Sequence, residues 1–297
     1  MCDLPAGMLG PCTHAGGRHC SGVPVARNSL GCRTSMSMPK NEHSPGARSH
    51  GIGGRCSVSL QNVRVTFGRH VAVDGVTGLF DPGSLTAVAG PNGAGKSTLL
   101  RSIAGIASLS GGKVDLGGAG RSAIGYLPQV ADIDRSFPMT VSDAVLMGAW
   151  RRLGLVRGVC ETLHSEMRYA LAAVGMQGHM DTTIGSLSSG QLQRVLFARL
   201  LMQNASLLLL DEPFNAVDAG TTADLLQLIN AWHQEGRTVI AVLHDVEQIR
   251  RYFPQTLLLA RQPIAWGKTQ DVLSDANIQH ARVLVNGQPS PDSAELL

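Results

Sequence analysis

Gly90-Pro91-Asn92-Gly93-Ala94-Gly95-Lys96-Ser97-Thr98 fits the pattern G-x-x-x-x-G-K-[ST], and its flanks decide the fold. Before it, Leu85-Thr86-Ala87-Val88-Ala89 is apolar enough for a buried strand; after it, residues 98–104 carry helical spacing. Strand, loop and helix in that order make a phosphate cradle. The glycines let backbone N–H groups converge, and the helix N-terminus adds a dipole of the right sign. Lys96 is expected to reach the β- and γ-phosphates, with the Ser97 hydroxyl on Mg²⁺. This stretch predicts a bound nucleotide.

Composition narrows the setting. The 297 residues suffice for one or two domains with a full core. Aromatic residues are only 4% of the chain, which argues against base stacking as a main mode of recognition. Residues 1–55 hold six Lys/Arg against two Asp/Glu, a net of +4, while the whole chain is +3, so the remainder is near −1. No basic face for nucleic acid is therefore expected on the folded part. No apolar run reaches the ~18 residues of a membrane helix. Met1-Cys2-Asp3-Leu4-Pro5 lacks the basic and apolar regions of a secretory signal, which predicts a cytoplasmic nucleotide site.

Residues 1–54 are rich in Gly, Pro, Ser, His and Arg without periodicity and are expected to be disordered. Their cysteines and histidines lack paired metal-ligand spacing apart from a loose His14/His19 pair. Order is expected from residue 55 to about 280, with a tail over 281–297. Ser57-Val58-Ser59-Leu60 and Val63-Arg64-Val65-Thr66-Phe67 alternate as half-buried strands do, so residues 56–90 read as a mostly antiparallel layer. Residues 141–150 and 160–174 have helical spacing and lie in an insert of residues 130–187. Beyond it, strands at 206–210 and 238–243 alternate with helices at 190–202, 221–234 and 246–252, which predicts a parallel sheet. Short strand-like runs are expected over 256–285.

A phosphate loop needs a second, acidic site. Leu207-Leu208-Leu209-Leu210-Asp211-Glu212 offers a buried strand ending in two carboxylates, where open α/β sheets place ligands. Asp211 is expected on the metal and Glu212 as general base. His244 ends another strand and Gln129 a third; either can meet the γ-phosphate, and Gln129 also the metal. Leu187-Ser188-Ser189-Gly190-Gln191 precedes an amphipathic helix, and its Ser cap leaves backbone donors for an anion.

The order of these elements resembles the ATP-binding cassette (ABC) ATPases over residues 56 to about 270. The matching parts are the phosphate loop (90–98), Q-loop (Gln129), signature (187–191), Walker B (207–212), D-loop (Asn215-Ala216-Val217-Asp218) and switch histidine (His244). Ser189 departs from the family's usual second Gly. The resemblance implies an α/β fold with a RecA-like P-loop NTPase core, an antiparallel β subdomain and a helical insert. It also implies ATP and Mg²⁺ as cofactors, with ATP held by residues 90–98 of one subunit and by Ser188, Ser189, Gly190 and Gln191 of another. Phe67, before Gly68, matches the aromatic that stacks on adenine, although a core role is equally open to it. Lys96, Gln129, Glu212 and His244 are the implied catalytic set, and Ser97, Gln129 and Asp211 the implied Mg²⁺ ligands.

Such a chain is expected as a homodimer of cassettes on the cytoplasmic face of the inner membrane. Its implied partners are a permease and an extracytoplasmic solute-binding protein. Tyr126-Leu127-Pro128-Gln129, Phe137-Pro138-Met139-Thr140-Val141 and Val145-Leu146-Met147-Gly148 look like the zinc/manganese uptake group, as does Asp211-Glu212-Pro213-Phe214. Siderophore and cobalamin importers compete with that reading. A soluble cassette protein acting on ribosomes or DNA fits less well, since neither a second cassette nor a coiled-coil insert is seen. A regulator without turnover is opposed by Glu212.

Overall fold

Short apolar strands alternate with helices along the residues described in this computed structural model, 56–153, 160–215 and 217–286. The extension expected over 1–54 lies outside them, as do residues 287–297. The first part of the chain forms β1 (Val58–Phe67), β2 (His70–Phe80), β3 (Leu85–Ala89), α1 (Lys96–Ile103), β4 (Gly111–Asp115) and β5 (Ile124–Leu127). The insert follows as α2 (Val141–Leu146), α3 (Trp150–Leu153) and α4 (Glu161–Ala173). Then come α5 (Ser189–Gln203), β6 (Leu207–Asp211), α6 (Ala219–Gln234), β7 (Thr238–Val242) and α7 (Val246–Tyr252). The chain continues through β8 (Gln255–Ala260), β9 (Gln262–Lys268), α8 (Thr269–Val272) and α9 (Asp275–Asn286).

Two sheets result. A three-stranded antiparallel sheet has the order β2-β1-β4, and a six-stranded sheet the order β5-β6-β7-β3-β8-β9. In the larger sheet β5, β6, β7, β3 and β8 run parallel, and β9 closes the edge antiparallel to β8. A sheet covered on both faces reads as a continuous apolar run. In β6, Leu208 and Leu210 pack into one core and Leu207 and Leu209 into the other. Each such leucine stabilises the fold by about 1.5–3 kcal/mol relative to an exposed one.

Several expectations are corrected. The two runs at 57–60 and 63–67 are one strand, β1, whose register shifts between Leu60 and Val63. Asn62, at φ 48°, resets the alternation so that Leu60, Val63 and Val65 all face inward. Leu85–Ala89, expected in the antiparallel layer, lies in the parallel sheet, and β4 takes a place in the layer instead. Beyond β9, residues expected as strand-like runs form α8 and α9, and α9 carries the ordered chain past 280. Ile278, Ala281 and Val285 recur at helical spacing and pack against the main core. Trp266 of β9 ties the two sheets together. Its ring meets Phe80 at 4.5 Å and covers Gly78, where a Cβ would stand 2.3 Å from the indole.

The insert is a small helical layer. Thr140 and Asp143 form a reciprocal capping box that starts α2. On α4, Leu163, Met167, Ala170 and Leu171 form one buried stripe, in the core that also holds Val195 and Leu196 of α5. Helix α5 thus belongs to both the insert and the sheet core. Its buried Gln193 donates to the Pro213 carbonyl just past β6, at 2.8 Å.

Candidate nucleotide site

The strand order dictates what meets at the site. Strand β7 lies between β3 and β6. The residues following the C-terminal ends of these three strands therefore sit side by side: the phosphate loop, His244, and Glu212 just past Asp211. They surround a cavity of about 900 Å³ lined by Asn92 to Thr98, Glu212, Phe214, Asn215, Val242 to Asp245 and Gln248.

The loop is held by close backbone approach. Gly95 caps α1 in the left-handed region at φ 88°, and a Cβ there would stand 2.1 Å from the Ala72 carbonyl oxygen. Only glycine meets both demands. The Lys96 ammonium donates to the carbonyls of Gly90 and Pro91, at 2.9 Å each. Burial lowers its pKa, an effect opposed by the charges of Glu212 and Asp211.

Below the loop, Ser97 Oγ donates to Asp211 Oδ1 at 2.8 Å, and Gln129 Nε2 lies 3.2 Å from Ser97 Oγ and 3.5 Å from Asp211 Oδ1. A hydroxyl, a carboxylate and an amide that can turn its oxygen inward form a hard donor set suited to Mg²⁺. Among the described residues no cluster of three or more His, Cys, Asp or Glu forms a cage for a metal ion. Asp211 is fully buried, and burial pushes its carboxyl above the usual range against the hydrogen bonds from Ser97 and Gln129.

Tyr126 belongs to this centre too, although its sequence position alone did not mark it. Its hydroxyl donates to Asp211 Oδ2 at 3.3 Å, and its pKa is pushed up to about 12, chiefly by burial. The register that sets Tyr126 beside Leu209 brings it there.

Glu212 leaves the strand at φ 50°, a left-handed conformation uncommon for a residue with a side chain. His244 Nε2 stands 2.6 Å from Glu212 Oε1. A carboxylate only accepts, so the imidazole is the donor.

The signature lies apart from this cavity: Ser188, Ser189, Gly190 and Gln191 do not line it. Ser188 caps α5 and forms a capping box with Gln191. Ser189 occupies the first turn, and its Oγ receives Arg135 Nη2 at 3.1 Å. Gly90, Pro91 and Phe67 are also absent from the lining. Phe67 is 59% exposed at the end of β1, which removes the core reading of that residue. Asp218, whose carboxylate accepts from Thr221 N at 2.9 Å and Thr221 Oγ1 at 2.6 Å, caps α6. Of the other D-loop residues, Val217 packs against the main core and Ala216 lies outside the described residues.

Residues 73–215 match the family described as ABC transporter. A manganese transport system ATP-binding protein, MntB of Listeria monocytogenes, is 37% identical over 228 residues, covering 75% of this chain and 95% of that protein. The chain belongs to the ABC transporter family. A zinc transport system ATP-binding protein, TroB of Treponema pallidum, is 39% identical over 203 residues, covering 67% of this chain and 76% of its own. Among solved structures, an inward-facing metal-chelate type ABC transporter aligns at TM-score 0.67 and 27% identity, over 79% of this chain and 90% of that one. A nucleotide-free ATP-binding cassette at TM-score 0.66 and 24% identity, over 76% and 98%, has the same fold. The phosphate loop, Walker B strand and insert are accordingly those of an ABC cassette with a P-loop core. Such a cassette binds ATP, and as the ATP-binding component of a transport system it works with a membrane permease. No helix among the described residues is long and apolar enough to cross a membrane.

Proposed function

We propose that this chain hydrolyses ATP to drive uptake of manganese or zinc through a partner permease, from the cytoplasmic face of the membrane. The observation that carries the hydrolytic reading is the Glu212–His244 pair at the cavity wall, 2.6 Å apart. Glu212 takes a proton from the attacking water, the water oxygen bonds to the γ-phosphorus, and the bond to the bridging oxygen breaks to leave ADP and phosphate. His244 holds Glu212 in the orientation this requires. Lys96 and the loop N–H groups bind the phosphates, and Ser97, Asp211 and Gln129 would hold Mg²⁺. When bound, that ion neutralises charge developing on the phosphates.

The chain has one cassette, and its signature stands away from its own cavity. Two copies pairing head to tail would bring Ser188 to Gln191 of each onto the ATP of the other, so a homodimer completes both sites. Phe67, exposed beside Gly68, is free to stack on the adenine.

For the permease, the groove beside the insert is the natural receiver. Trp150 and Ile106, more than 60% exposed, line it together with Arg121, Arg151 and Arg152, so exposed apolar side chains stand among cations in a groove open to a partner. The cargo reading is supported by the manganese and zinc systems named for the relatives, with a solute-binding protein delivering the ion outside. A chelated metal is the second reading, favoured by the likeness to a metal-chelate type transporter.

Metal-depleted growth tests the cargo. A strain lacking this protein should regain growth when manganese or zinc is restored in excess. Recovery with excess free iron, but not with a ferric siderophore, would replace the first reading by the second.

A further inference from the structure

The seven residues from Gln129 to Arg135 connect two places that serve different nucleotides. At one end, Gln129 touches Ser97 and Asp211 under the subunit's own phosphate loop. In the middle, a single turn at Val130–Asp132 is anchored to α1 by the ion pair of Asp132 with Arg101. At the far end, Arg135 Nη1 donates to the Leu187 carbonyl at 3.2 Å and Nη2 to Ser189 Oγ at 3.1 Å. Gly185 permits this approach, since a Cβ there would stand 2.8 Å from the Arg135 carbonyl oxygen.

Helix capping does not account for the contact. Ser188 and Gln191 already cap α5 reciprocally, which leaves the Ser189 hydroxyl to Arg135. A guanidinium beside a helix N-terminus also carries the wrong sign for the helix dipole. What the two hydrogen bonds do is fix the signature relative to a segment that begins at the metal-binding end of the site. Ser189 supplies the hydroxyl that makes the second bond; glycine at that position offers none.

We propose that Arg135 is a positioning residue that ties each subunit's signature to its own Gln129, so that the nucleotide bound by one subunit governs the signature offered to the other. The inference rests on the head-to-tail pairing proposed above. It assigns Ser189 a role in communication between sites, with Arg135 as the second half of the contact.

The test is steady-state ATPase activity of the full-length protein against ATP concentration for the wild type, Arg135→Ala, Arg135→Lys, Ser189→Ala and Arg135→Ala/Ser189→Ala. In Arg135→Ala, kcat should fall about tenfold with KM changed less than about twofold. Its Hill coefficient should drop from a value approaching ~2 towards ~1 as the two sites uncouple. Arg135→Lys should recover part of both. The double variant should be no worse than Arg135→Ala alone, because both changes break one contact. If Arg135→Ala does not fold, Ser189→Ala carries the test, since alanine is well tolerated in a first helical turn, and its Hill coefficient must fall.

Unchanged cooperativity in either variant, or effects that multiply in the double variant, overturns the inference. Gel filtration of Glu212→Gln with ATP separates the underlying assumption. No dimer removes the pairing and the inference with it; a dimer whose Arg135→Ala form keeps full cooperativity removes the inference alone.

Discussion

His244 Nε2 and Glu212 Oε1 are 2.6 Å apart although they leave different strands. The pairing of β6 with β7, which sets Asp211 opposite Val242, brings the two strand ends level. The left-handed turn at Glu212 then aims its carboxylate across the gap. In the proposed mechanism His244 holds the carboxylate in place, so His244→Ala should lower kcat by about 10²-fold, within the range for acid–base groups. ATP affinity should change little. Equilibrium binding of a fluorescent ATP analogue beside a phosphate-release assay separates these outcomes.

Asp211 stores an electrostatic cost that the fold tolerates for function. Its folded pKa is raised, mainly by burial, so the folded state holds a proton that the unfolded state has already released. Stability from this group is therefore gained as pH falls through the raised folded value and is lacking at neutral pH. Asp211→Asn should melt higher than wild type at pH 7 by roughly 2–4 °C, the effect of ~1 kcal/mol in a domain of this size. The gap should close as pH falls towards the raised value. The same variant should lose Mg²⁺-dependent ATPase activity, the usual exchange of stability against function. Thermal melts from pH 4 to 8 without nucleotide check the sign.

Trp150 should matter to assembly and not to chemistry. It sits in the groove with Arg121, Arg151 and Gln203, away from the phosphate loop. Trp150→Glu should leave the isolated subunit's ATPase activity within about twofold and its stability within about 0.5 kcal/mol, as for exposed substitutions in general. Copurification with the permease should be lost. Retained copurification would move the docking surface elsewhere.

What the sequence made legible was whatever local pattern determines. The phosphate loop requires glycines at fixed offsets. Strand β6 is buried on both faces, so its leucines run unbroken. The Ser188 cap starts a helix by a contact with the backbone only three residues on, at Gln191 N. The features that escaped depend on tertiary placement. Strand β2 is not singled out by alternation because Asp74, Gly75 and Gly78 interrupt it, and only Trp266, packed over Gly78, explains that gap. Asn62 conceals the continuity of β1 by shifting its register. In α9 the partly buried Ile278 and the buried Ala281 are interspersed with the exposed His280 and Arg282, and the helix is explained by its packing on β8 and β9. At the site, Tyr126 and Asp211 are 85 residues apart, and Arg135 and Ser189 are 54 apart. No spacing rule links such pairs; the parallel register and the insert bring them together.

The central claim is that ATP is hydrolysed with Glu212 as base between two copies of the chain. Purified Glu212→Gln measures it most directly, through phosphate release and gel filtration in the presence of Mg²⁺ and ATP. Bound ATP, turnover reduced about 10²–10⁴-fold, and a shift from monomer to dimer that reverses when ATP is removed are the expected results. Turnover at the wild-type rate, or a protein that stays monomeric while saturated with ATP, would contradict it.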